Sequence, residues 1–420
     1  MTGALLLVAM LALMLLLRQP LLVILLGAAA LVHIVWGKGQ LDYILEDMWV
    51  SLDKELILSI PMFILCGGVM TKGSTARRLI GIASALTRPL PGGLAVACIL
   101  SCGIFAAISG SSIVTMLAIG SVMLPAMRAA GYDNRYALGV VMAGGTLGII
   151  IPPSIPLILY GLVTETSITD LFVAGIGPGL LILGVFALHA MWVNRRAPTQ
   201  PFELALLARA LREGVWALLM PVILLGGIYS GYFSAIEAAA VSLVYALAVE
   251  TFIHREMKLR DFYDVVLDAS KLGGTLFPLL AVALSLNLVL TEHRVPLMMV
   301  EVMKGWIDSP LVFMLLVNLL LLAIGCLMTS GEAILILAPM LAPLAAAYGF
   351  DKVLFGIIMI VNLEIGFLTP PVGLNLLVAM STFKQKFAEL VVAATPFIVL
   401  MLACLALISW QPWIAMSLVR

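Results

Sequence analysis

Four short stretches of the chain combine residue types able to hold small ions or an anionic group. They are "SGSS" (Ser109, Gly110, Ser111, Ser112), the run from Gly145 and Thr146 to Pro152, Pro153 and Ser154, "MTSGE" (Met328 to Glu332) and "GFLTPP" (Gly366 to Pro371). Each interrupts an apolar run. An interior proline removes an i→i−4 hydrogen bond and clashes with the preceding turn, which costs about 3 kcal/mol in a helix. A helix broken at Pro152-Pro153 or Pro370-Pro371 leaves unpaired carbonyls at the end of one half and unpaired N–H groups at the start of the next. Carbonyls and hydroxyls are hard oxygen donors suited to a small cation. N–H ends flanked by Ser and Thr hydroxyls suit an anionic group. The competing reading of the small residues is close helix packing, and that of the prolines a plain kink.

The interruptions come in pairs, which favours a site. A shift of 218 positions lays the second half of the chain on the first without a gap, "GYDNRYALGVVMAGGTLGIIIPPSIPLIL" over "GFDKVLFGIIMIVNLEIGFLTPPVGLNLL". Gly131 falls on Gly349, Asp133 on Asp351, Gly148 on Gly366, and Pro152-Pro153 on Pro370-Pro371. Upstream, Pro125 pairs with Pro343 and Ser112 with Ser330. Apolar arms around "SGSS" and around "MTSGE" each read as a re-entrant helical hairpin. Every half then supplies one hairpin tip and one proline-broken helix. Paired interruptions at corresponding positions of two repeats point to a transporter binding site.

These elements must sit in lipid. The 420 residues are 63% hydrophobic and 11% charged, with a mean hydropathy of +1.17; soluble domains carry about 25% charged residues. Apolar runs long enough to span a bilayer recur along the chain. They are continuous rather than alternating, so the fold class is an all-α polytopic membrane protein and not a barrel. Residues 4–36 read as two short helices meeting at "RQP", retained as the first membrane segment because no cleavable leader pattern precedes them. Residues 37–56 are amphipathic and suit an interface. Membrane segments are expected near 57–71, 92–108, 113–127, 134–150, 154–165, 170–193, 214–231, 235–253, 272–291, 311–328, 332–347, 351–368, 371–383 and 388–410. Basic residues cluster at Lys72 to Arg88, Arg195 to Arg212 and Arg255 to Lys271, which assigns those loops to the cytoplasmic side. A formal net charge of zero gives no reason to expect nucleic acid. The cysteines read as buried free thiols, and the histidines as isolated.

The ordered set "SIPMFILCGGVM", "AAISGSS", "GYDNRYA", "GGTLGIIIPPSIP", "FVAGIGPGLL", "SAIEAAAV", "FGIIMIVNLEIGFLTPPVGLNL" resembles the large membrane subunit of TRAP transporters, the DctM-like family, over nearly the whole chain. The resemblance implies one integral transport domain over residues 1–420, with two inverted repeats of elevator type. Residues 92–165 and 311–383 would be the hairpin-and-broken-helix units, and the remainder scaffold and interfacial helices. It implies the transport unit of a sodium-driven uptake system in the bacterial inner membrane. Its partners would be a separate small four-helix membrane subunit and a periplasmic substrate-binding protein, and its solute would bear a carboxylate. Na+ would be the coupling ion, and no organic cofactor is expected. Carried over by position, one sodium site takes Ser109, Gly110, Ser111, Ser112, Gly145 and Thr146; the other takes Thr329, Ser330, Gly331, Gly366 and Thr369. Solute would meet Ser112, Pro152, Pro153, Ser154, Ser330, Asn362, Pro370, Pro371 and Asn375. One departure stands out: many family members have Asp at the position of Thr329, and an apolar or small residue at that of Glu332.

Charged groups at mid-membrane are functional candidates by default. For Glu364, a structural hydrogen bond to the broken backbone competes with a coupling role, and Glu332 suits a solvated hairpin tip equally well. Glu237 reads as a helix cap. A membrane-embedded enzyme would need a converging nucleophile, base or metal set, and no HExxH, GxSxG or paired intramembrane aspartates occur. The alternative within transport is a stand-alone sodium-coupled anion symporter of a related inverted-repeat family.

Overall fold

The computed structural model describes residues 19–35 and 42–419, with Met10, Leu13, Met14 and Leu17 ahead of them. Most of the segment expected before "RQP" lies outside the described residues; the helix after it runs Leu21–Val35. The described residues are helical and contain no strand. Among them, nine helical stretches are long and apolar enough to cross a membrane.

Two hairpins and two broken helices form the centre. Hairpin 1 consists of Gly93–Ser109 and Ser112–Ala129, and broken helix 1 of Asn134–Ile150 and Ile155–Thr164. Hairpin 2 consists of Pro310–Gly325 and Ser330–Ala347, and broken helix 2 of Lys352–Phe367 and Leu374–Phe383. The punctuation repeated in the sequence does defined work here. Gly131 and Gly349 take positive φ, +83° and +87°, and end the second arm of each hairpin as glycine does most readily. Asp133 Oδ2 then accepts from Tyr136 N at 3.0 Å, and Asp351 Oδ1 from Val353 N at 2.7 Å and Leu354 N at 3.2 Å. Each carboxylate caps the first half of a broken helix. Asp351→Ala is therefore expected to cost about 1 kcal/mol, measured as a lower unfolding midpoint in detergent, and Asp351→Asn far less.

The two broken helices run antiparallel. Asn134 Nδ2, at the start of the first, donates to Gln385 Oε1 just past the end of the second, at 3.3 Å. Tyr160 Oη, near the end of the first, donates to the carbonyl of Lys352 at the start of the second, at 2.7 Å. Hairpin 1 opens beside Asn134, through Arg128 Nε to Asn134 Oδ1 at 2.7 Å. Hairpin 2 opens beside Lys352, so the hairpins reach their tips from opposite faces. Of broken helix 1, 89% of its most apolar window is buried, against 28% for Leu204–Tyr229. The first is held inside protein; the second presents its side to the surroundings.

The three basic clusters share one face. Lys72 pairs with Asp264 at 3.5 Å, Arg78 with Glu256 at 3.3 Å, and Arg88 with Glu203 at 3.1 Å. Between them Glu250, wholly buried, accepts from Thr75 Oγ1 and from Ser74 N at 3.2 Å. It thereby caps Thr75–Thr87 from another helix. That amphipathic helix was not among the expected segments, nor were Val295–Lys304 and Trp413–Met416.

Most segment ends fall within a few residues of expectation. Two helices start much earlier: Leu204–Tyr229 against 214–231, and Leu259–Glu292 against 272–291. The added turns carry water-facing pairs such as Arg209–Glu213 at 3.0 Å and Lys271–Asp268 at 3.3 Å. Hydropathy marks the lipid-embedded part of a helix and misses its solvated continuation. The "SAIE" stretch is a capping box, Ser234 with Glu237, in line with the cap read for Glu237. All five cysteines are free and buried.

Candidate functional site

Tip 1 is a two-residue turn, Gly110 (φ +58°) and Ser111, held by its own hydroxyls. Ser109 Oγ lies 2.6 Å from Thr115 Oγ1 and donates to the Ser111 carbonyl at 3.3 Å. Ser111 Oγ accepts from Val114 N at 3.5 Å, capping the returning arm. The tip is pressed onto broken helix 1. A Cβ on Gly148 would stand 2.4 Å from Ser111 O, one on Gly145 3.2 Å from Ser112 O, and one on Gly110 3.0 Å from Pro153 O. Glycine at these points lets carbonyls of the tip and of the break gather closely, and such oxygens suit a small cation.

Tip 2 has a related construction with different chemistry. Thr329 occupies the capping position equivalent to Ser111, and Glu332 the one equivalent to Val114. Glu332 N donates to Thr329 Oγ1 at 3.3 Å and Thr329 N to Glu332 Oε2 at 2.9 Å, a complete capping box. The departure at Thr329 and Glu332 is thus one device: a carboxylate placed at a helix N-terminus, where the dipole favours it. Gly366 abuts Gly325, where a Cβ would lie 2.4 Å from the Gly325 carbonyl carbon, and Gly373 N donates to Cys326 O at 3.1 Å. Thr369 Oγ1 donates to the Ile365 carbonyl at 2.8 Å. The second tip, like the first, seats on its own repeat's break.

Both tips then meet. A cavity of about 200 Å3 is walled by Gly110, Ser111 and Ser112 of tip 1 and by Thr329, Ser330 and Gly331 of tip 2. Ile149, Ile155 and Pro156 beside the first break and Phe367 and Leu374 beside the second complete it, with Ile64, Leu272 and Leu276 from outside the repeats. Pockets for drug-sized ligands run to about 300–1,000 Å3, so this volume suits a small solute. Among the described residues no three His, Cys, Asp or Glu side chains gather as a transition-metal site requires; the donors here are hydroxyls and carbonyls.

The remaining expected residues sit behind or beside this wall. Thr146 lies inside the helix Asn134–Ile150 rather than at the break expected for Gly145 and Thr146; it donates its hydroxyl to Ala143 O at 2.6 Å and faces Met401, and the hydroxyl oxygen keeps its lone pairs. Pro152, Pro153 and Ser154 are buried, and Ser154 Oγ caps the second half-helix, accepting from Leu157 N at 3.4 Å. Pro370 and Pro371 are exposed, so the second break borders the surface while the first is enclosed. Asn362 donates both Nδ2 hydrogens to Asn318, at 3.0 Å to the carbonyl and 2.6 Å to Oδ1, and its own Oδ1 is buried without a partner. Asn375 lies in neither the wall nor the open break. Its Nδ2 donates to Ser112 Oγ at 2.5 Å and to Glu364 Oε1 at 3.3 Å, linking the repeats. Thr115 and Asn318 were missed in the sequence, although Asn318 is a lone amide in the apolar arm "LVFMLLVNLLLLAIG", a recognised sign of intramembrane function.

Two re-entrant tips walling one half-open cavity between antiparallel broken helices is a transporter's organisation. The family model described as "Tripartite ATP-independent periplasmic transporter, DctM component" matches residues 8–414. The chain belongs to the DctM family. It is 40% identical over 396 residues to the isethionate TRAP transporter permease protein DctMQ of Oleidesulfovibrio alaskensis, covering 93% of this chain but 62% of that longer protein. It is 38% identical to the C4-dicarboxylate TRAP transporter large permease protein DctM of Pseudomonas aeruginosa, covering 93% of this chain and 92% of the other. In fold it is similar to the YdaH transporter of Alcanivorax borkumensis, with a TM-score of 0.66, 16% identity and coverage of 91% and 90% of the two chains. This DctM chain is a multi-pass membrane protein and the large permease component of a TRAP transporter, not an enzyme.

Proposed function

We propose that this DctM chain is the transport unit of a sodium-gradient-driven importer of a small carboxylate-bearing solute. A periplasmic binding protein delivers the solute, and a separate small four-helix subunit completes the membrane complex in the bacterial inner membrane. The observation that carries the reading is the one half-open cavity walled by both hairpin tips, each seated on a proline-broken helix. Sodium binds at each tip-and-break junction: Ser109 to Ser112 with Gly145 and Thr146, and Thr329 to Gly331 with Gly366 and Thr369. Half-helix N-termini at Ser154 and Leu374 and the tip hydroxyls Ser112 and Ser330 receive the solute's anionic group. The antiparallel broken helices and the opposed hairpins support an inverted-repeat architecture. Residues 92–165 and 311–383 then move as one block against the other helices, alternately exposing the cavity in elevator fashion. The basic face, with its three linked clusters, lies in the cytoplasm.

The names of the similar proteins, isethionate and C4-dicarboxylate transporters, both denote small acids and support an anionic solute. Reconstitution with both partners in liposomes tests the coupling. Uptake of a labelled C4-dicarboxylate is expected only with sodium outside and choline inside. Equal uptake without the gradient would sink the sodium claim.

A further inference from the structure

A second cavity, of about 770 Å3, lies on the basic face and shares no lining residue with the cavity at the tips. Three parts of the fold wall it. The amphipathic helix Thr75–Thr87 contributes Gly81 and Ser84, and Arg88 follows it. Both ends of hairpin 1 contribute, through Gly93, Leu94 and Ala130. The solvated start of Leu204–Tyr229 supplies Leu206 and Arg209. Residues 72–88 and 194–213, the strips on either side, carry eight Lys and Arg against two Glu. Glu203 pairs with Arg88 at 3.1 Å, and Glu213, itself in the wall, with Arg209 at 3.0 Å. Such partly exposed pairs are weak, so an anion can share either arginine. A guanidinium offers five donors in a planar fork suited to phosphate, and Arg88 Nε is enclosed without a partner. The amides of Gly93 and Leu94, in the first turn of a 17-residue helix, have no acceptor within that helix and favour negative charge. The rest of the wall is apolar: Leu90, Leu94 and Leu206 line it. Leu86 and Leu204, on the two flanking helices, are 50% and 69% exposed.

We propose that this cavity binds the phosphate headgroup of an anionic phospholipid. A basic pocket between helices at the membrane surface suits such a headgroup. The same donors would take a free phosphate, but the volume and the leucines match a phosphate joined to an apolar body. The site goes beyond the transport reading and does not depend on sodium coupling. Its position gives it a purpose, because a lipid seated there touches both ends of hairpin 1 and a helix outside the repeats.

The test weighs the chain with its lipid. Purified full chain, in micelles holding equal phosphatidylglycerol and phosphatidylcholine, is examined by native mass spectrometry. Wild type is expected to retain one phosphatidylglycerol and little phosphatidylcholine. Gly81→Phe puts a ring into the cavity from a position with nothing within 4 Å of its would-be Cβ. Retention should fall about tenfold in this variant and in Arg88→Gln. Lys271→Gln removes a basic residue outside the cavity and should retain lipid as wild type does. Should Arg88→Gln fold poorly, having also given up Glu203, Arg209→Gln replaces it at an exposed side chain. Equal retention of the two lipids by wild type overturns the proposal, as does full retention by Gly81→Phe. An excess of inorganic phosphate should leave the lipid in place; displacement would assign the site to a free anion and overturn the lipid.

Discussion

Gly148→Ala and Gly366→Ala are each expected to raise the sodium concentration for half-maximal uptake by about ten- to a hundredfold, while Gly184→Ala changes nothing. A methyl on residue 148 would meet Ser111 O at 2.4 Å and Thr115 Oγ1 at 2.7 Å. On residue 366 it would meet Gly325 atoms at 2.4 and 2.6 Å and Cys326 N at 2.8 Å. These neighbours are largely backbone, which cannot swing aside as a flexible side chain does. Overpacking of this kind costs about 1–3 kcal/mol, and each 1.4 kcal/mol taken from ion binding is about tenfold in affinity. The strain falls on the hairpin tips, so it should appear in sodium dependence more than in the amount of protein inserted. Gly184 has nothing within 4 Å of its would-be Cβ and controls for the loss of a glycine from a membrane helix. The check is a sodium titration of uptake for the three variants at matched protein. Were Gly148→Ala and Gly366→Ala to titrate like Gly184→Ala, the tips would not be docked on the breaks during ion binding.

The same two glycines show how far sequence reasoning reaches. Their register, 218 positions apart, was visible because backbone requirements survive when apolar side chains interchange. Gly131 and Asp133, matched by Gly349 and Asp351, were visible for the same reason: a positive φ and an N-cap are local demands. The "TSGE" capping box was overlooked in the sequence although it fits T-x-x-E, because Thr329 and Glu332 were weighed only as a departure from an aspartate at residue 329. Thr146 shows the limit. Its place near the break is evident from spacing, but the rotamer that turns its hydroxyl to Ala143 depends on the helix around it. The Asn375–Ser112 contact joins residues 263 apart, and no local pattern announces a pairing at that separation. Exposure at Pro370 and Pro371 was equally hidden, because repeats equal in sequence punctuation are packed against different neighbours. The solvated turns before Met220 and Leu280 were invisible to a reading based on hydropathy alone.

Ser111→Trp and Thr329→Trp are each expected to bring uptake down to background, with the chain still inserted. Both residues stand at the rim of the same 200 Å3 cavity, and an indole there occupies most of the space a solute would use. Each also caps the returning arm of its hairpin, so the substitution does two things at once. Alanine separates them. Ser111→Ala and Thr329→Ala lose the hydroxyl, which caps the arm for about 1 kcal/mol and stands in the sodium junction, but leave the cavity open; uptake should fall severalfold at saturating sodium and not vanish. Thr329→Ser keeps cap and volume and should behave as wild type. An order of Ser above Ala above Trp at residue 329, at equal membrane yield, identifies the cavity as the solute's path. If Trp and Ala at residue 329 lowered uptake equally, the loss would lie in the hydroxyl, as cap or sodium ligand, and the solute would have to travel elsewhere. The two tips should also respond alike, because each closes one side of the shared space. A large effect at Ser111 with none at Thr329 would mean that the repeats do not share one solute site, whatever their sequence register.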